Sequence, residues 1–177
     1  MTRYPRVLLL ALTGLASGCV TQIERTPLQA QRLAADAPRI RLACAVTLVE
    51  VEDARPGGES AGLYNGRALQ FERAPDLIRE HLVAAGAATG AEAGGLRLTV
   101  HLKRLYMAQQ HAVNTPVVVL QAQLGDTPSF IVRPQAPSVN WWGSEAELYE
   151  DLGAAVTRAN AQLVERVNQR CPSSAPG

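Results

Sequence analysis

Lysine is almost missing from this chain. Lys103 is the one lysine, and arginine supplies every other basic side chain among the 17. Against 16 acidic residues the net charge is only +1, and no basic tract is present. A nucleic-acid binder needs a clustered positive footprint, so the composition argues against that partner. Aromatic residues are also scarce, at 5%. The two tryptophans, Trp141 and Trp142, are adjacent, which leaves no interleaved platform for stacking single-stranded bases. Histidine occurs three times, as His81, His101 and His111. No pair has metalloenzyme spacing, so no metal is expected. There is no Gly-x-Ser-x-Gly elbow, and Gly57-Gly58 lacks the lysine and spacing of a phosphate-cradling loop. These gaps disfavour an enzyme and leave no cofactor implied. No apolar run reaches the ~20 residues that span a bilayer as a helix.

The informative stretch is at the start. Arg3 and Arg6 precede an apolar run from Val7 to Leu15, then Ala16-Ser17-Gly18-Cys19. A basic region, a short apolar core and small residues before a cut make a secretory signal. The cysteine after Ala-Ser-Gly resembles the lipobox of bacterial lipoproteins, with Ala16 where leucine is usual. That resemblance implies that Cys19 is lipid-modified, with palmitate an expected acyl group, and becomes the mature N-terminus. Removal of Arg3 and Arg6 takes two positive charges from the +1 total, leaving a mature chain near −1. Val20, not aspartate, follows Cys19, and by the same resemblance this implies outer-membrane sorting with the domain facing the periplasm.

Two other cysteines remain, Cys44 and Cys171. In an oxidising compartment a thiol pair favours a disulfide. It would tie the start of the folded region to its end. The competing readings are two buried free thiols or a metal site, and no further ligand stands at zinc spacing beside either.

Residues 1–18 read as a signal peptide, 19–38 as a lipidated tether, 39–171 as one α+β domain and 172–177 as a disordered tail. The tether is alanine-rich and broken by Pro27 and Pro38. Fully extended, about 20 residues reach ~65 Å. Ile40 to Val51 reads as a strand, with Ile40, Leu42, Cys44, Val46 and Leu48 on one face. A long loop follows through Gly62 and Gly66 to about Ala74. Pro75 and Asp76 open a helix striped by Leu77, Ile78, Leu82 and Ala85. Leu96, Leu98, Val100 and Leu102 alternate with polar residues up to Lys103, a half-buried strand. Val117–Leu124 and Ser129–Arg133 read as a third and a short fourth strand. Ser144 and Glu147 make a capping-box pattern for a long final helix to Arg170, striped by Leu148, Leu152, Val156, Ala159, Leu163 and Val167.

The predicted fold is therefore a single α+β domain: a three- to four-stranded mixed sheet with two helices packed on one side. A lipobox, a strand ending in Val49-Glu50-Val51-Glu52-Asp53-Ala54-Arg55, a glycine loop, a short helix, a hairpin and a long last helix resemble the YajG-type bacterial envelope lipoproteins. The element order also resembles the CsgG and LpoB lipoproteins and the N-terminal domain of TolB. The resemblance implies a small cell-envelope protein and carries over no partner residue by residue.

Glu50, Glu52, Asp53 and Arg55 form the densest charge cluster near a strand end. Paired carboxylates can do acid/base work, but this pattern reads more simply as a solvated strand end with an Asp53–Arg55 loop salt bridge. Adjacent tryptophans before a helix are hard to bury together, and an exposed Trp is enriched in interface hot spots. Trp141 and Trp142, with Asp53 and Arg55, are thus the candidate partner-binding residues. The expected role is a non-catalytic accessory or adaptor that docks to another envelope protein; the alternative is a binding module for a lipid or other small ligand held between sheet and helices.

Overall fold

Period-two and period-3.6 apolar patterns do most of the architectural work here. The structure, a computed structural model, describes residues 24–25, 40–56, 62–64, 67–71, 73–90, 94–110, 113–135 and 144–172. In chain order the elements are β1 (Glu24–Arg25), β2 (Val46–Asp53), β3 (Gly62–Tyr64), β4 (Arg67–Gln70), α1 (Ala74–Ala84), β5 (Ala88–Thr89), β6 (Leu96–Gln110), β7 (Val113–Leu124), β8 (Phe130–Val132) and α2 (Glu145–Asn168).

The main sheet has five strands in the order β5-β2-β6-β7-β8. β2 runs parallel to β5 and β6, while β6–β7 and β7–β8 are antiparallel. A mixed sheet with helices on one side is the α+β arrangement that the pattern predicts. It is one strand wider than expected, because Ala88–Thr89 after α1 adds an edge beside β2.

One face of the sheet carries the core. Val46, Leu48, Val51, Leu98, Val100, Leu102, Leu105, Val118, Leu120 and Leu124 are all buried under the helices. α1 contributes Leu77, Ile78 and Leu82, and α2 contributes Leu148, Leu152, Val156, Ala159, Leu163 and Val167, the stripe its sequence predicts. Each fully buried Leu or Phe is worth about 1.5–3 kcal/mol over an exposed one. Phe71 and Tyr149 meet edge to face, with centroids 5.7 Å apart. α2 starts with the predicted capping box: Ser144 Oγ accepts from the Glu147 N–H, and the Glu147 carboxylate accepts from the Ser144 N–H.

Three expectations change. The first strand begins at Val46, not Ile40. Residues 40–45 keep the alternating burial of a strand, but their backbone bonds go elsewhere. Leu42 N–H donates to the Ala85 carbonyl at 2.9 Å. The Asn168 amide accepts from Ala43 N–H at 2.8 Å and donates to the Arg41 carbonyl at 2.9 Å. A side chain at the end of α2 thus replaces a neighbouring strand.

The hairpin is also longer than its alternation indicates. β6 continues to Gln110 and β7 starts at Val113. Alternation breaks at Lys103-Arg104 because a bulge lies between Leu102 and Arg104. One extra residue there restores Leu105 and Met107 to the core face.

Finally, the span from 53 to 74 is not a plain loop. β3 and β4 pair antiparallel within it. Glu24 and Arg25, inside the segment read as a tether, pair parallel with Leu69 and Gln70 of β4. The result is a second, three-stranded ladder, β1-β4-β3. Among the described residues no helix is long and apolar enough to cross a membrane.

Candidate functional site

The two candidate thiols are joined. Cys44 and Cys171 form a disulfide across 127 residues, with Cα atoms 5.8 Å apart. The bond lies beside the Asn168 clamp on residues 41 and 43. Arg170 stacks its guanidinium over Phe130, 4.1 Å from the ring centre. The end of α2 is therefore fastened to the entrance of β2 by a covalent bond and an amide, and to β8 by a cation–π contact.

Asp53 and Arg55 sit at the exit of β2. Arg55 holds the Asp53 carboxylate through two side-chain bonds, Nε–Oδ1 at 2.8 Å and Nη2–Oδ2 at 2.6 Å. The same guanidinium donates to the Phe71 carbonyl, and its side chain is only 10% exposed. Bidentate geometry and burial make this a brace between the end of β2 and Phe71, the residue that follows β4. The Arg55 hydrogen bond, with help from its charge, holds the Asp53 carboxyl below the usual carboxylate range; partial burial opposes it.

Glu50 and Glu52 are exposed on the face of the sheet that no helix covers. Glu52 meets His101 Nδ1 across β2–β6, at 2.6 Å, directly opposite in register. The pair is a cross-strand contact on a wet surface.

His81 lies in the core, 2% exposed. Its Nδ1 is 2.9 Å from the Asn160 amide nitrogen, and Asn160 is fully buried. This bond links α1 to α2 inside apolar surroundings. His111 lies outside the described residues. Among the described residues no three His, Cys, Asp or Glu side chains cluster as metal ligands would.

Trp141 and Trp142 lie outside the described residues, as does Cys19. In sequence, Trp141 and Trp142 stand three and two positions before the α2 cap at Ser144.

The space between sheet and helices is filled by side chains such as Leu98, Leu120 and Leu163, each without exposed surface. A concavity of about 350 Å³ lies elsewhere, at the β5–β2 end of the sheet, lined by Thr47, Val49, Gly90, Gly94 and Arg97 among others. Its floor is shaped by a close backbone approach. Gly95 has φ +121°, and a Cβ there would come within 2.4 Å of the Ala45 carbonyl oxygen that accepts the Leu96 N–H. Only glycine fits that corner.

What sequence reasoning missed is the composition of the uncovered face. The bulge turns both Lys103 and Arg104 away from the core, because Arg104 pairs with Val119 and Leu105 then takes the inward position. Val117, Val119, Gln121 and exposed Ile131 lie on the same side. The break of alternation at Lys103-Arg104 was the available signal.

No family model matches the chain, and no curated protein matches it. Among solved structures, it is similar in fold to protein XCC0632 from Xanthomonas campestris, of the family DUF330. The identity is 16%, the TM-score 0.47, and the match covers 85% of this chain and 95% of that one. A second match, to an uncharacterised protein, has 12% identity, a TM-score of 0.39, and coverage of 75% and 96%. Likeness at this level carries nothing about activity or partners.

Proposed function

We propose that the chain is a non-catalytic cell-envelope lipoprotein, anchored through Cys19 in the outer membrane and facing the periplasm, where it serves as an accessory that docks to another envelope protein. The observation that carries the reading is the Cys44–Cys171 disulfide, because such bonds persist in exported proteins and are rare in the cytosol. It agrees with the secretory leader and the lipobox-like Ala16-Ser17-Gly18-Cys19, and with the resemblance to YajG-type lipoproteins. Docking is assigned to Trp141 and Trp142, which precede α2 in the chain, with Asp53 as a separate candidate polar contact that Arg55 holds in place.

The test is affinity capture from crosslinked envelopes, comparing wild type with Trp141→Ala and Trp142→Ala. A hot-spot tryptophan contributes ~2 kcal/mol or more, over tenfold in affinity. Loss of a specific crosslinked partner with an unchanged melting temperature supports the reading. Unchanged capture with a large drop in melting temperature means that the tryptophans are core packing. The concavity at Gly90, Gly94 and Arg97 favours a second reading, a small-ligand module. A ligand that co-purifies and is lost on Gly94→Val would support that one instead.

A further inference from the structure

The sheet face that no helix covers is nevertheless closed over at one end. Thr47 stands between the core residues Val46 and Leu48, which turns it to that face, yet it is only 6% exposed. Gly94 covers it: Thr47 Oγ1 donates to the Gly94 carbonyl at 3.2 Å. The next residue, Gly95, passes so close to the Ala45 carbonyl that no side chain fits. The concavity of about 350 Å³ lies here, lined by Thr47, Val49, Gly90, Gly94, Gly95 and Arg97 among others. That volume is at the lower end of the roughly 300–1,000 Å³ of small-molecule sites.

Arg97 stands directly opposite Thr47 in the β2–β6 register. It is the one charged side chain among the described lining residues. It is exposed and takes part in none of the ion pairs formed among the described residues. Two carboxylates are near it in the sheet. Glu50 lies further along β2, opposite Thr99, and Asp126 follows Gly125, whose N–H donates to the Arg97 carbonyl. Neither engages the guanidinium. Val49, 45% exposed, supplies an open apolar surface in the same lining.

We infer that this concavity binds a small organic monocarboxylate, its carboxylate on the Arg97 guanidinium and its short apolar chain against Val49. The inference rests on the small-ligand reading of the concavity and is independent of docking. The planar guanidinium presents paired donors that match a carboxylate. One cation with two carboxylates in its neighbourhood suits a single negative charge better than a double one. A polar anchor beside apolar wall is the usual division of labour in such sites.

The experiment titrates the full chain carrying Cys19→Ser with sodium butyrate and, in parallel, with butyramide, its neutral isostere, and follows backbone amide shifts by NMR. Butyrate should bind saturably, with the amides of Thr47, Val49, Gly94 and Arg97 moving most. Butyramide should bind about tenfold more weakly, because it lacks the charge-assisted bonds. Arg97→Gln should lose a similar factor for butyrate and nothing for butyramide, with an unchanged melting temperature because Arg97 is exposed. Equal affinity for acid and amide, or an Arg97→Gln variant that binds butyrate as wild type does, overturns the monocarboxylate proposal and leaves the small-ligand reading standing. Inorganic phosphate that binds more tightly than butyrate overturns the proposal in the same way. No saturable shift at these amides with any of the three probes overturns the proposal and the small-ligand reading together.

Discussion

Breaking the Cys44–Cys171 bond should remove a large share of the domain's stability. The bond closes a span of 127 residues. Loop-closure entropy for a span that long amounts to roughly 5 kcal/mol at 25 °C. A domain of this size is stable by about 5–15 kcal/mol in total, so the bond accounts for a third of that or more. At about 3–5 °C per kcal/mol, the melting temperature should fall by roughly 15–25 °C. The native contacts around the bond blunt the structural consequence but not the entropic one. Asn168 still clamps residues 41 and 43, so the reduced protein should keep its fold in the cold. The assay is urea unfolding of the wild type with and without reductant, beside the Cys44→Ser/Cys171→Ser variant. The reduced and the doubly substituted proteins should agree, with a lower midpoint and an equal or larger m-value, since the uncrosslinked unfolded chain exposes more surface. An unchanged midpoint would refute the reasoning, because it would mean that the unfolded chain gains no freedom when the bond opens.

The other predictions concern single groups. Asp53 has its native pKa depressed by Arg55, so its contribution is present above the ordinary carboxylate pKa and is lost as pH falls through the depressed one; in acid titration, Asp53→Asn should flatten that part of the stability curve. Asp151 is shifted the other way, chiefly by burial and then by the charges of Glu150 and Glu147. Its ionised form opposes folding above the ordinary carboxylate pKa, so Asp151→Asn should raise stability at neutral pH by less than about 1 kcal/mol and have no effect in acid. Asn160→Ala removes a buried partner of His81 and should cost about 1–3 kcal/mol in chemical denaturation; no loss would mean that the bond contributes nothing net.

Where periodicity was strong, the sequence was legible. The α2 stripe from Leu148 to Val167 is buried as its spacing requires, and the capping box at Ser144 and Glu147 forms. The thiol pairing followed from number and compartment. The misses have identifiable physical causes. Residues 40–45 look like a strand because alternating burial does not depend on what satisfies the backbone; here an asparagine side chain does. β6 ran past Lys103 because a bulge adds a residue that alternation does not anticipate. β1 was invisible since a two-residue parallel pairing with β4 has no local signature. The Asp53–Arg55 bridge was readable from spacing, whereas the buried His81–Asn160 bond joins residues 79 apart, and no local pattern announces it.

The central claim is a lipid-anchored domain in the envelope, and intact-mass analysis of the protein purified from membranes tests it most directly. The account predicts a chain that begins at Cys19 and carries acyl groups on it, together with a mass two hydrogen atoms short for the Cys44–Cys171 bond. A chain cut elsewhere, or one that begins at Cys19 without lipid, would contradict it.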